Sequence, residues 1–139
     1  MQNIFDIDEW KIIETSFDPK KQLAAESIFS IGNGAFGQRA NFEESYTGES
    51  LQGSYVGGVY YPDKTRVGWW KNGYPEYFAK VLNSCNWIGI DIEVDSEKLD
   101  LATIQVKHFY RELDMRNGTL TRKFKCELKN GKIIQIKST

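Results

Sequence analysis

The sequence predicts an all-β protein built from antiparallel strands, and three observations carry that expectation. Apolar residues recur at every second position through the C-terminal half, the spacing of strands with one buried and one solvated face. Asn117-Gly118 and Asn130-Gly131 sit between such runs, and Asn-Gly is the strongest short-range hairpin signal. A chain of 139 residues with 14% aromatics and twelve glycines favours strands and turns over helices.

Taken in order, Trp10, Ile12 and Ile13 predict an early strand. Asp18–Gln22 predicts a single helical turn. Ala24–Ile31 reads as a strand ending at Gly32. Tyr55–Tyr61 reads as another, in which Gly57-Gly58 marks a bulge or a close backbone approach. Tyr77–Leu82 predicts a second short helical turn, and Pro19, Pro62 and Pro75 fall at the edges of these runs. Further on, Ile88, Ile90, Ile92 and Val94 alternate with Gly89, Asp91, Glu93 and Asp95. Ile104, Val106, His108 and Tyr110 make the next apolar face. Leu120, Phe124, Cys126 and Leu128 make the third, followed by Ile134 and Ile136.

Turn geometry then sets register. A three-residue loop with Gly131 in the left-handed region places Cys126 opposite Ile134 and Phe124 opposite Ile136, which keeps apolar groups together. The same reasoning at Gly118 places Phe124 opposite Tyr110, Cys126 opposite His108 and Leu128 opposite Val106. The expectation is a four-strand meander over residues 87–138.

Composition bounds the function. Eighteen basic and nineteen acidic residues leave a net charge of −1, which argues against a nucleic-acid backbone binder. No signal peptide and no membrane-spanning apolar run are visible, so the expected location is the cytoplasm, with no membrane partner. Cys85 and Cys126 make neither a disulfide framework nor a metal-binding CxxC, and read as buried free thiols. Gly32–Gly37 matches G-x-G-x-x-G by letter, but no crossover helix follows, so the segment reads as a tight turn between strands. Glu43 and Glu44 are adjacent, and on a strand they would point to opposite faces and could not flank one glycosidic bond. Asp91 and Glu93 read as a solvated face. The single histidine, His108, reads as half-buried rather than as a metal ligand. Tyr55, Tyr60, Tyr61, Trp69, Trp70, Tyr74, Tyr77 and Phe78 form a dense aromatic cluster, too loop-like to be wholly internal. Exposed aromatic faces of this kind serve domain contacts or stack on sugar rings.

Three stretches carry a resemblance to a known family. Glu26–Glu44 (ESIFSIGNGAFGQRANFEE) resembles the pattern E-S-x-F-x-x-G-N-G-x-x-G-x-R-G-x-F-E-E near the N-terminus of glycoside hydrolase family 65. Asn83–Asp91 (NSCNWIGID) is similar to its N-x-P-N-W segment, and Leu113–Arg122 (LDMRNGTLTR) to its L-D-M-R-x-G-x-L-x-R block. Ala40 stands where the family usually has glycine, and Cys85 where it has proline.

The resemblance implies maltose, trehalose or kojibiose phosphorylases, or related hydrolases. Such enzymes open with an antiparallel β-sandwich of the galactose-mutarotase-like supersandwich type. A linker and an (α/α)6 barrel follow, and the barrel carries the catalytic acid and the phosphate-holding residues. By this reading residues 1–139 are one β-sandwich domain, or its leading part, with no internal boundary. The chain itself supplies no catalytic residue, no metal site and no cofactor site. Inorganic phosphate is a co-substrate of the parent enzyme if that enzyme is a phosphorylase. The barrel is the expected partner, with a disaccharide bound by the parent and a homodimer as a further possibility. The residues placed to approach substrate are Asn33, Arg39, Glu43, Trp69, Trp70 and Tyr74. Two alternative readings remain: a stand-alone carbohydrate-binding module using the aromatic cluster, and a dimerisation domain.

Overall fold

The computed structural model describes residues 5–64 and 77–139. In chain order these form β1 (Phe5–Ile7), β2 (Lys11–Glu14), α1 (Gln22–Ile28), β3 (Ile31–Gly32), β4 (Phe36–Gln38), β5 (Ser54–Val56) and β6 (Tyr60–Asp63). They continue with β7 (Phe78–Val81), β8 (Glu93–Val94), β9 (Glu97–Lys98), β10 (Gln105–Asp114), β11 (Thr119–Glu127) and β12 (Ile133–Ser138). A five-stranded antiparallel sheet, ordered β1-β2-β10-β11-β12, is the frame. A three-stranded sheet β3-β4-β5 and two ribbons, β6-β7 and β8-β9, complete the strand pairings. The antiparallel all-β class is as expected.

The β11–β12 hairpin has the predicted register. Gly131 adopts φ +80°, Cys126 faces Ile134 and Phe124 faces Ile136. The β10–β11 hairpin does not. Asp114 pairs with Thr119 across the four residues 115–118, and an irregularity between Val106 and His108 shifts the ladder. Val106 therefore faces Cys126 and Phe109 faces Phe124, while Tyr110 faces Lys123. A bulge inserts one unpaired residue and turns the following side chains to the other face. His108 is consequently exposed rather than half-buried, and Phe109, Arg111 and Leu113 point inward.

Other expectations are corrected in the first half. The Ala24–Ile31 strand is largely helix α1, which buries Gln22, Ala25 and Glu26, with Phe29 beneath its C-terminal end. That is helical spacing, hidden in the sequence because two of the inward residues are polar. A 3-10 turn over Pro19–Lys21 leads into it, capped by Asp18 accepting from the Lys20 amide at 3.1 Å. The expected Tyr55–Tyr61 strand breaks at Gly57-Gly58, with Gly58 at φ +81°, into β5 and β6 of different sheets. Tyr77–Leu82, expected as a helical turn, contains strand β7, paired with β6.

The fourth neighbour of the C-terminal meander is β2 from the N-terminus, not residues 88–94. Of that alternating segment only Glu93–Val94 pairs, with β9. Cys126 is buried, but Cys85 is exposed.

Two apolar clusters cover the inner face of the large sheet. Phe42, Leu99, Leu101, Phe109, Phe124 and Cys126 form one. Ala25, Phe29, Ala40 and Leu113 form the other. Among the described residues, no helix is long and apolar enough to cross a membrane.

Candidate functional site

Between the two apolar clusters lies a layer of buried charge. Arg111 and Arg122 are direct cross-strand partners on β10 and β11, and both point inward. Like charges directly opposite one another destabilise a sheet unless they are compensated. The compensation comes from elsewhere in the chain. Arg111 donates from Nε (2.8 Å) and Nη2 (2.7 Å) to Glu14 Oε2 on β2, from Nη1 to the Ala40 carbonyl at 3.2 Å, and to Gln22 on α1. Arg122 makes a two-pronged contact with Glu44, with Nη1 to Oε1 at 2.6 Å, and also pairs with Glu43.

Both guanidinium groups lie against the Phe42 ring, their carbons 5.7 Å (Arg111) and 4.5 Å (Arg122) from its centroid. Burial pushes the Glu14 carboxyl up and the Arg111 guanidinium down, and their mutual attraction only partly offsets that cost. Burial also opposes charge on Arg122, but Glu44 and Glu43 outweigh it and the net shift is upward.

A second chain of contacts extends the layer. Glu26 accepts from Ser50 Oγ (2.6 Å), the Leu51 amide (2.8 Å) and Gln22, and its carboxylate lies 3.8 Å from Arg39. Arg39 in turn donates to the carbonyls of Leu51 and Leu23. Residues 39–44 are thus pinned from both sides to the sheet and to α1.

This pinning positions a cleft of about 450 Å³ at the end of the sheet. Its walls are residues 30–33 and 36–38, Trp87, Leu113, Met115 and Gly118. Each wall has a local cause. In the β3–β4 turn, Asn33 Oδ1 accepts from the amides of Ala35 (3.1 Å) and Phe36 (2.8 Å), and Gly34 takes φ +84°, where a side chain would be strained. Asn83 bridges the Ser54 amide and the Gln52 carbonyl, at 2.9 Å each, and so anchors the segment carrying Trp87. The Trp87 ring meets Phe36 edge to face at 5.9 Å. Asp114 Oδ1 accepts from the amides of Arg116 and Asn117 at 3.0 Å each, shaping the turn that presents Met115.

Apolar surface modestly exceeds polar surface in the cleft. Phe36, Trp87 and Met115 are exposed there. Ser30 and Gln38 spend their polar atoms inward, on the Glu26 carbonyl, the Arg39 carbonyl, Asn41 and Ser54.

Of the residues expected to approach substrate, Asn33 lines the cleft and holds its turn. Arg39 faces away from it, into the Glu26 contacts. Glu43 pairs with Arg122, and the expectation that Glu43 and Glu44 diverge is not met: the chain bends there instead of forming a strand, and both carboxylates converge on one guanidinium. Trp69, Trp70 and Tyr74 lie outside the described residues. Within the aromatic cluster, Tyr60, Tyr61 and Tyr77 are exposed. Arg111, Arg122 and Trp87 carry much of the site without having been singled out. A signal for Arg122 was present, since it occupies an inward position in the otherwise apolar alternation of Leu120, Phe124 and Cys126. The Gly32–Gly37 segment is a hairpin turn, as expected. Among the described residues, no group of three or more His, Cys, Asp or Glu is placed to hold a metal ion.

Every residue lining the cleft falls in one of the three stretches 26–44, 83–91 and 113–122. Comparison with known proteins agrees. The family model described as glycosyl hydrolase family 65, N-terminal domain, matches residues 12–139. The chain is 49% identical to a maltose phosphorylase of Bacillus subtilis (strain 168) over 137 residues, covering 99% of this chain and 18% of the relative. It is 35% identical to an α,α-trehalose phosphorylase of Thermoanaerobacter brockii, covering 96% and 18%. A solved structure, a putative kojibiose phosphorylase from the human microbiome, superposes with a TM-score of 0.82 at 34% identity, covering 96% of this chain and 18% of that one. The chain thus spans about a fifth of the length of these relatives. With its motif stretches brought together around one cleft and matched over nearly its whole length, the chain belongs to glycosyl hydrolase family 65, as an N-terminal domain.

Proposed function

We propose that this chain acts as the non-catalytic N-terminal domain of a cytoplasmic phosphorylase for an α-linked disaccharide, and that the disaccharide is maltose. The supporting observation is the cleft: three stretches shared with the family supply all of its lining, and the polar side-chain atoms of Ser30 and Gln38 are turned inward onto protein partners. Such a surface suits packing against another protein segment better than hydrogen bonding to a sugar. We assign it to contact with the catalytic barrel of the longer polypeptide, with the Asn33 turn at the edge nearest the substrate. Residues 1–139 form one domain, or its leading part, in this reading. Maltose is favoured because identity to the maltose phosphorylase exceeds that to the trehalose enzyme.

In the full enzyme inorganic phosphate attacks the anomeric carbon. The glycosidic oxygen leaves with a proton from an acid outside this chain, and inversion of an α-linkage yields β-glucose 1-phosphate. No protein base is needed, because phosphate is itself the nucleophile.

The test is phosphorolysis assayed on the polypeptide that carries this chain at its N-terminus. Maltose with phosphate should release glucose and β-glucose 1-phosphate, and trehalose or kojibiose should not. The 139-residue chain alone should be inactive on all three. Turnover by the chain alone would overturn the non-catalytic role, and preference for another disaccharide would overturn the substrate.

A further inference from the structure

We propose that the solvent face of the five-stranded sheet carries a binding site for a phosphate group, supplied either by inorganic phosphate or by a sugar phosphate. The ladder builds the site. His108, Lys125 and Gln135 form one cross-strand row, and Tyr110, Lys123 and Lys137 form the next. Adjacent strands lie about 4.8 Å apart, so the cationic ends of this grid can converge on one ligand. Lys123 and Lys137 stand directly opposite each other, an arrangement that costs a sheet stability when nothing neutralises it.

The nearby carboxylates are committed elsewhere. Glu112 accepts from Tyr110 and from Lys11 Nζ at 3.1 Å. Glu127 pairs with Lys107 at 2.7 Å. Among the described residues, no ion pair engages His108, Lys123, Lys125 or Lys137. The Lys123 ammonium lies 5.8 Å from the Tyr110 ring centroid, which holds it over the face.

At the centre is a depression of about 110 Å³ bounded by His108, Tyr110, Lys123, Lys125 and Gln135, with Phe124 beneath. Ammonium, imidazole and amide donors surround it. A tetrahedral oxyanion, with several acceptor oxygens and up to two charges, satisfies more of them than a carboxylate does. With a net charge of −1 for the whole chain, the positive character is local, which suits a small anion rather than a long polyanion. The site does not depend on the function proposed above, because binding is read directly.

His108 is the only histidine, so its imidazole C–H resonances are an unambiguous probe. The chain is titrated by NMR with inorganic phosphate and, separately, with glucose 1-phosphate, at constant pH and at ionic strength held constant with sodium chloride. Saturable shifts at His108 are expected, and the Lys123→Gln/Lys125→Gln double variant should weaken them by roughly fivefold or more. Both lysines are exposed, so the variant keeps its fold, which its unchanged spectrum elsewhere will show. Tighter binding of glucose 1-phosphate assigns the ligand as the ester, and equal binding assigns it as the phosphate group alone. Shifts that do not saturate, that chloride reproduces, or that persist in the double variant overturn the proposal.

Discussion

Arg122 shows how much of this fold depends on a few buried charges. Its guanidinium is compensated by Glu43 and Glu44, and its cross-strand neighbour Arg111 by Glu14. Removing one partner from such a set leaves an uncompensated charge in a desolvated site, at a cost of about 3–5 kcal/mol. Arg122→Met is therefore expected to lower the urea midpoint severely. The triple variant Arg122→Met/Glu43→Gln/Glu44→Gln, which removes the charges together, should recover a large part of the loss. Equal destabilisation of the two would mean that shape rather than charge makes the site. Arg122 was legible in the sequence only as an anomaly, and Arg111 not at all, because the expected alternation placed it on the solvent face. An alternating strand with arginine at an inward position announces a buried ion, but the two glutamates that answer Arg122 lie far away in the chain, and spacing alone does not connect them.

At the level of elements, turn chemistry separates what was readable from what was not. Gly131 sits at φ +80° with open space around its α-carbon, so it is there for its backbone freedom and not to avoid a clash. Gly131→Ala should destabilise by about 1 kcal/mol through strain alone. The β8–β9 ribbon has the converse problem. Asp95 and Ser96 both adopt positive φ, 54° and 64°, a type I′ geometry that glycine tolerates better at its second position. Ser96→Gly is expected to stabilise by a few tenths of a kcal/mol, up to about 1. Equilibrium urea denaturation of the two variants should move in opposite directions, and a common direction would refute the turn assignment.

The β11–β12 register was legible because a glycine specified it. The β10–β11 register was not, although Gly118 also takes positive φ (+63°): the loop spans four residues, 115–118, instead of three, and a bulge between Val106 and His108, which no residue marks, shifts the ladder again. Residues 88–94 have the strongest alternation in the chain yet mostly remain unpaired. Periodicity specifies a buried face, here Ile92 against the core, but not a ladder partner.

For the whole molecule, stability should depend on pH in a way the charge distribution sets. Hydrogen bonds and an ion pair from Lys98 hold Asp91 below its usual range, Lys132 does the same for Asp95, Tyr110 and Lys11 for Glu112, and Asn117 for Asp114. A depressed carboxylate contributes stability above its unfolded pKa and loses it as pH falls through the folded value. Glu14, raised by burial, has the opposite sign and partly offsets them. On the alkaline side, the hydrogen bond to Glu112 raises Tyr110 to about 12. Its contribution is complete below the ordinary tyrosine value near 10 and is lost as pH rises toward 12. Urea midpoints should thus be highest around neutrality, and Glu112→Gln should flatten both limbs. Unchanged limbs in that variant would show that the Tyr110–Glu112 contact carries no weight in solution.

The sequence by itself determined the strand-rich class, the glycine-marked turn at Gly131 and, through three short stretches, the family. Each of these is a local property: side-chain periodicity, positive φ, or a run of adjacent residues. The tertiary structure decided which strands became neighbours, that residues 22–28 coil into a helix, and that the three stretches enclose one cleft. It also decided that Glu43 and Glu44 serve a buried arginine. Those outcomes depend on desolvation and on pairing between residues distant in the chain, and neither is encoded at the spacing of neighbouring residues.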